Sequence, residues 1–181
     1  MAVNCLIIVD VQRDFCPGGA LPAAGGNAIV PVINGLMDRF DYIVASKDWH
    51  PAQTVHFEKW PVHCVRGSEG AKFHKQLNVE KINEVVLKGT GNTDDGYSAF
   101  EGTNVDLSSW LRKNKVTDVY VCGIATEYCV MATASDAMKN GFRTTVITDA
   151  IAAVEAHPGD TEKALNTMKE SGLHMVSRKQ I

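Results

Sequence analysis

The sequence predicts an α/β fold: a three-layer α/β/α sandwich around a mainly parallel central sheet. Short apolar runs of strand length alternate along the chain with stretches of helical periodicity. Most of these runs are continuously apolar rather than alternating, as strands covered on both faces should be. The long irregular stretches, 12–26, 47–70 and 89–102, each leave the carboxyl end of a strand, which is where an open parallel sheet binds its ligands.

In chain order, the first strand is read at 5–11 and is followed by a helical pattern over 28–40 with Asn27 in the capping position. Strands follow at 42–46 and 84–87, then a helix over 105–113 behind Thr103 and Asn104. A β-branched run at 119–123 leads into a helix over 127–140. A fifth strand at 145–148, a helix over 161–171 capped by Asp160, and a weaker strand at 173–176 complete the series. Gly141 and Gly172 stand just past the last two helices, where left-handed backbone favours glycine.

The 181 residues, 45% hydrophobic and 22% charged, are enough for one domain, 1–181, with a full-sized core. A net charge of -3 without any Lys/Arg run argues against a nucleic-acid partner. The amino terminus lacks a basic region, and the apolar run 5–9 is too short to cross a bilayer, so a cytoplasmic protein without a membrane partner is expected. Oligomeric state is not legible. Five cysteines, at 5, 16, 64, 122 and 129, are an odd number with no C-x-x-C pair, which suggests neither a disulfide framework nor a four-thiolate zinc site.

Collecting the polar residues that end the apolar runs gives a candidate site. The first run ends in Asp10, the second in Asp48, the third in Lys88, and the fourth leads through Gly123 to Cys129 in the first turn of a helix. Asp149 ends the fifth run in the same way but is as easily a cap or a turn. A free cysteine under a helix is commonly no more than a small apolar residue. At a strand-to-helix junction, however, unpaired N–H groups favour a thiolate and an oxyanion beside it. Asp10, Lys88 and Cys129 together have the parts of an acyl-transfer site, with aspartate in place of the usual histidine base. Such a carboxylate can act only if burial and charge coupling bring its proton affinity close to that of the thiol.

A second cluster lies in 47–64. Asp48 and His50 are two apart on extended chain, so their side chains point the same way, and the loop can return His56 and His63 to them. One carboxylate with two or three imidazoles is a divalent-metal set, suited to zinc, iron or manganese. Cys64 would point away from His63 on extended chain, and His74, His157 and His174 read as ordinary surface or packing residues.

Five motifs in order, at 9–21 (VDVQRDFCPGGAL), 47–51 (KDWHP), 60–65 (WPVHCV), 97–102 (YSAFEG) and 123–130 (GIATEYCV), resemble nicotinamidases of the isochorismatase-like cysteine hydrolase superfamily. The resemblance covers nearly the whole chain. It implies the isochorismatase-like hydrolase fold and hydrolysis of nicotinamide to nicotinate and ammonia in NAD salvage, with pyrazinamide as a second substrate. Cys129 is then the nucleophile, Asp10 the proton acceptor and donor, and Lys88 the charge stabiliser. By the same resemblance Asp48, His50, His63 and His56 hold one divalent metal ion, with zinc the first choice, and Phe15, Trp60 and Tyr97 line the substrate. Core packing is the alternative for Phe15 and Trp60. A cis peptide between Ile124 and Ala125 is implied too, with the N–H groups of Ala125 and Cys129 as the oxyanion hole. Ala99 stands where many relatives have glycine. Two rivals are another amide-cleaving cysteine hydrolase of the superfamily and a non-catalytic, metal-stabilised binding module.

Overall fold

A computed structural model describes residues 2–181. Its six strands are β1 (Val3–Val9), β2 (Tyr42–Asp48), β3 (Glu84–Lys88), β4 (Val116–Ile124), β5 (Arg143–Ala152) and β6 (His174–Val176). They form one sheet in the order β3-β2-β1-β4-β5-β6, and all five pairings are parallel. The helices are α1 (Gly26–Leu36), α2 (Leu107–Lys113), α3 (Met131–Lys139) and α4 (Asp160–Glu170).

The continuous apolar runs are explained by the two faces of the sheet. Leu6 and Ile8 of β1 join Ile29, Val30 and Ile33 of α1 in one buried cluster, whereas Cys5, Ile7 and Val9 join residues of α2, α3 and α4 in another. Successive side chains alternate between faces, and here both faces are dry. The α1 face is completed by Val11, Phe15, Cys64, Ala71 and Leu77 from the long loops, so those loops are anchored in the core at points close to the site.

The middle of the sheet decides where a ligand can enter. Strand order reverses at β1, which has β2 on one side and β4 on the other, and the helices that follow β1 and β4 pack on opposite faces. That divergence leaves a crevice at the carboxyl ends of β1 and β4. The strands meet tightly there. Gly123 has φ +115°, and a Cβ on it would lie 2.1 Å from the carbonyl oxygen of Val9, so glycine is required. The next peptide but one, Ile124–Ala125, is cis.

Several expected boundaries and caps are different in the structure. Asn27 lies inside α1, which starts at Gly26, and its side-chain oxygen faces Nε2 of His74 at 3.2 Å. The chain over 37–39 continues as a 3-10 turn, not as α-helix. Thr103 and Asn104 do not cap α2; Asp106 does, accepting from the N–H of Ser109. Asn104 instead accepts from Leu87 N–H and donates to the Val85 carbonyl, covering the open edge of β3. Asp160 is the first residue of α4, behind Gly159. The helix expected from residue 127 opens as a π-helical turn, Thr126–Val130, before α3 begins. Gly141 and Gly172 do take positive φ, at +87° and +91°. No helix among the described residues is long and apolar enough to cross a membrane.

Candidate active site

Asp10 follows β1 with φ +48°, an uncommon conformation for a non-glycine residue and one that often marks a functional site. The Ser46 hydroxyl donates to its Oδ1 at 2.7 Å, and Oδ2 lies 2.7 Å from Nζ of Lys88. Lys88 is fully buried at the end of β3. Its ammonium also donates to Oδ1 of Asp48 at 2.5 Å and to the Gly96 carbonyl at 2.9 Å, and it stands 3.4 Å from Sγ of Cys129. The three residues expected to form an acyl-transfer site therefore meet, although they leave three different strands.

The charges can be ranked. Burial pulls Lys88 down, but Asp10 and Asp48 outweigh it and hold the ammonium well above its usual range. Burial raises Asp10, against the pull of Lys88, so this carboxylate has more affinity for a proton than an exposed one. Asp48 goes the other way: Lys88 and the imidazoles of His50 and His63 overcome burial and keep it well below the carboxylate range. At Cys129, burial, with Asp10 and Asp48 adding to it, pushes the thiol well above its usual value despite Lys88, the direction opposite to that favoured by a helix start alone.

Beside the triad, His50 and His63 bring Nε2 to 3.3 and 3.6 Å from Oδ2 of Asp48. Donors about 2.1 Å from one ion in tetrahedral array stand about 3.4 Å apart, so these spacings fit a single divalent ion. His56 joins His50 and His63 in a group whose nitrogens lie within 4.8 Å of one another. The outer nitrogens support the same role. Nδ1 of His50 faces the Gly89 carbonyl at 2.8 Å and Nδ1 of His63 that of Pro61 at 2.7 Å; a carbonyl only accepts, so each Nδ1 carries a proton and Nε2 is the nitrogen left to ligate an ion. Nδ1 of His56 faces Oδ1 of Asp94 at 3.0 Å. Nε2 of His50 is buried without a hydrogen-bond partner, as suits a nitrogen directed at a metal ion.

Cys129, Asp48 and the three imidazoles line one cavity, walled by Phe15, Leu21, Trp60, Tyr97, Tyr128 and Val154, with Ala125 also lining it. Phe15 packs 5.2 Å from the His63 ring, while Trp60 meets Tyr128 edge to face at 4.8 Å and donates from Nε1 to the Tyr97 hydroxyl at 3.2 Å. An apolar slot ending in imidazoles and a thiol suits a flat heteroaromatic amide.

Residues 4–180 match the isochorismatase domain. The chain belongs to that family. It is 42% identical to the nicotinamidase/pyrazinamidase of Mycobacterium tuberculosis, over 96% of this chain and 98% of that protein. The crystal structure of a pyrazinamidase of Pyrococcus horikoshii in complex with zinc is similar at 44% identity and TM-score 0.87, covering 96% of this chain and 98% of that one. PnC1 from L. infantum in complex with nicotinate gives TM-score 0.91 at 37% identity, over 98% and 94% of the two chains.

Some residues that shape this isochorismatase-domain site carry no plain signal in the sequence. Gln12 is fully buried and pins both backbone groups of Asp48, donating to its carbonyl and accepting from its N–H, each at 2.8 Å. It sits two residues after Asp10 and opens the polar stretch Gln12-Arg13-Asp14, which gives no sign of burial. Asp14 accepts from the Cys64 N–H at 2.8 Å and so fixes the return of the segment that carries His63. Glu127 accepts from the Glu155 N–H at 2.7 Å, which holds Val154 in the cavity wall. Gly89 packs so closely on His50 that a Cβ would lie 2.6 Å from the ring. Asp149 is elsewhere, accepting from the Arg178 N–H, and Cys64 lies in the apolar cluster beside α1.

Proposed function

We propose that the protein is a nicotinamidase, hydrolysing nicotinamide to nicotinate and ammonia and pyrazinamide to pyrazinoate, with residues 1–181 acting as one hydrolase domain. The observation that carries this reading is the single cavity in which an apolar slot ends at both the Cys129 thiol and a buried imidazole set. The similarity to a nicotinamidase/pyrazinamidase and to a nicotinate complex supports the same substrate class.

In the reaction, Phe15, Trp60, Tyr97 and Tyr128 hold the ring flat and exclude water, which leaves the carboxamide over Cys129. Asp10 takes the thiol proton as sulfur bonds to the carbonyl carbon, a transfer its raised proton affinity assists. The backbone N–H groups of Ala125 and Cys129 are the candidate donors to the resulting oxyanion, each worth about 3 kcal/mol in the transition state. Asp10 then protonates the amide nitrogen, the C–N bond breaks and ammonia leaves. A water that gives one proton to Asp10 attacks the thioester, the C–S bond breaks as Asp10 returns that proton to sulfur, and the carboxylic acid leaves and gives its remaining proton to solvent as nicotinate. Lys88 keeps its charge throughout and steadies Asp10 through both transfers. A divalent ion held by Asp48, His50, His63 and His56, with zinc the first choice, would supply a Lewis-acidic contact for the ring nitrogen.

The test is ammonia release from a panel of aromatic amides, run on the wild type and on Cys129→Ala with metal quantified in both. Nicotinamide and pyrazinamide should be turned over, and the alanine variant should lose at least about 10⁴-fold in kcat while keeping its fold and metal. Turnover surviving in that variant would exclude the thioester route.

A further inference from the structure

We propose that Asp94 is a positioning residue that ties the candidate metal loop to the ring slot, orienting His56 with one side of its carboxylate group while holding the Tyr97–Trp60 wall. The inference rests on reading the cavity as the nicotinamide pocket and deepens that reading.

Asp94 lies on the segment between Gly89 and Gly96 that returns from the end of β3. Its Oδ1 faces Nδ1 of His56 at 3.0 Å and accepts from the Tyr97 hydroxyl at 3.0 Å. Its Oδ2 pairs with the Lys59 ammonium. The Tyr97 oxygen in turn accepts from Nε1 of Trp60 at 3.2 Å. One side chain thus reaches a candidate metal ligand and, directly or through one hydroxyl, two walls of the cavity.

The three imidazoles are not oriented alike. His50 and His63 are held by main-chain carbonyls, which no substitution removes. His56 is held by a side chain, and its stretch, Val55–Glu58, is a short 3-10 turn whose Val55 is exposed. Without the carboxylate, His56 has no fixed tautomer or ring angle, and partners of this kind change metal affinity about 10–100-fold. Tyr97 would lose its acceptor in the same step, and Trp60 would lose a fixed partner. The Lys59 contact differs, since that lysine side chain is 67% exposed and such pairs contribute little.

The experiment measures the rate of zinc loss to excess chelator, together with kcat and KM for nicotinamide at saturating zinc. The proteins are the wild type, Asp94→Ala, Asp94→Asn, Lys59→Ala, His56→Ala and the Asp94→Ala/His56→Ala double variant. Zinc loss should be faster by about tenfold or more in Asp94→Ala and no faster in the double variant than in His56→Ala. KM should rise severalfold in Asp94→Ala with kcat nearly kept, and Lys59→Ala should resemble the wild type. Asp94→Asn preserves the shape of the side chain, and unchanged thermal unfolding in it separates lost positioning from lost folding. Wild-type zinc loss and KM in Asp94→Ala would overturn the proposal, as would rate effects that simply add in the double variant. If the wild type released no ammonia from nicotinamide, the functional reading would fail, and the zinc-loss comparison alone would still decide the role of Asp94.

Discussion

Lys88 is buried among two carboxylates, a carbonyl and a thiol, and each neighbour makes a different demand on it. Its charge is needed electrostatically before it is needed chemically, because Asp10 and Asp48 are both taken out of water beside it. Removing one partner of a buried ion pair costs about 3–5 kcal/mol, since the other charge is left uncompensated. Lys88→Met keeps the apolar length of the side chain and removes only the ammonium. The variant should unfold at lower urea with a loss in that range, and should have no measurable amidase activity. Equilibrium unfolding at neutral pH checks it; a variant as stable as the wild type would show that Asp10 or Asp48 had taken up a proton instead. The same surroundings act on the thiol: burial pushes it up, and the field of Lys88 opposes that while Asp10 and Asp48 add to it.

Two elements carry predictions of their own. At β4, Gly123→Ala should cost more than about 1 kcal/mol and reduce activity together with stability, because the added Cβ would force β4 away from Val9 at the point where the crevice opens. At α2, the cap Asp106 is held below its ordinary 3.8, chiefly by the Ser109 N–H. A depressed carboxyl stabilises fully above its unfolded value and loses that contribution as pH falls through the folded one. Asp106→Ala should therefore melt below the wild type at pH 7, with the gap closing as pH falls below 4; a gap independent of pH would mean that the neutral carboxyl caps the turn as well as the charged one. The capping residues also show where sequence reading stops. Asn104 and Asp106 are equally good caps locally, and the choice between them is made by the open edge of β3, which Asn104 satisfies. The π-helical turn around Cys129 has no signature either, since over five residues its apolar spacing matches that of an α-helix.

On the scale of the whole molecule, the sheet was legible because two dry faces require uninterrupted apolar runs, and the site was legible where a polar residue ends such a run. Asp10, Asp48 and Lys88 are of that kind. Asp94, Tyr128 and Glu127 are not, because they reach the cavity through loop geometry or a helix start that no periodicity records. This division has an energetic consequence. The two core clusters are built largely from strands and helices, whereas His50, His56 and His63 lie in a loop anchored to them at a few points such as Trp49 and Cys64. Removing a bound divalent ion should then unlock the loop and leave the sheet intact. With zinc at 100 times its dissociation constant, the metal-bound protein should be more stable than the stripped protein by about 2.7 kcal/mol, by mass action alone. The far-ultraviolet circular dichroism of the two forms should be the same, and amide exchange should rise in 50–64 but not in β1 or β4. Loss of sheet signal on chelation would mean that the ion holds the fold together; identical stability with and without zinc would mean that the imidazoles do not bind it.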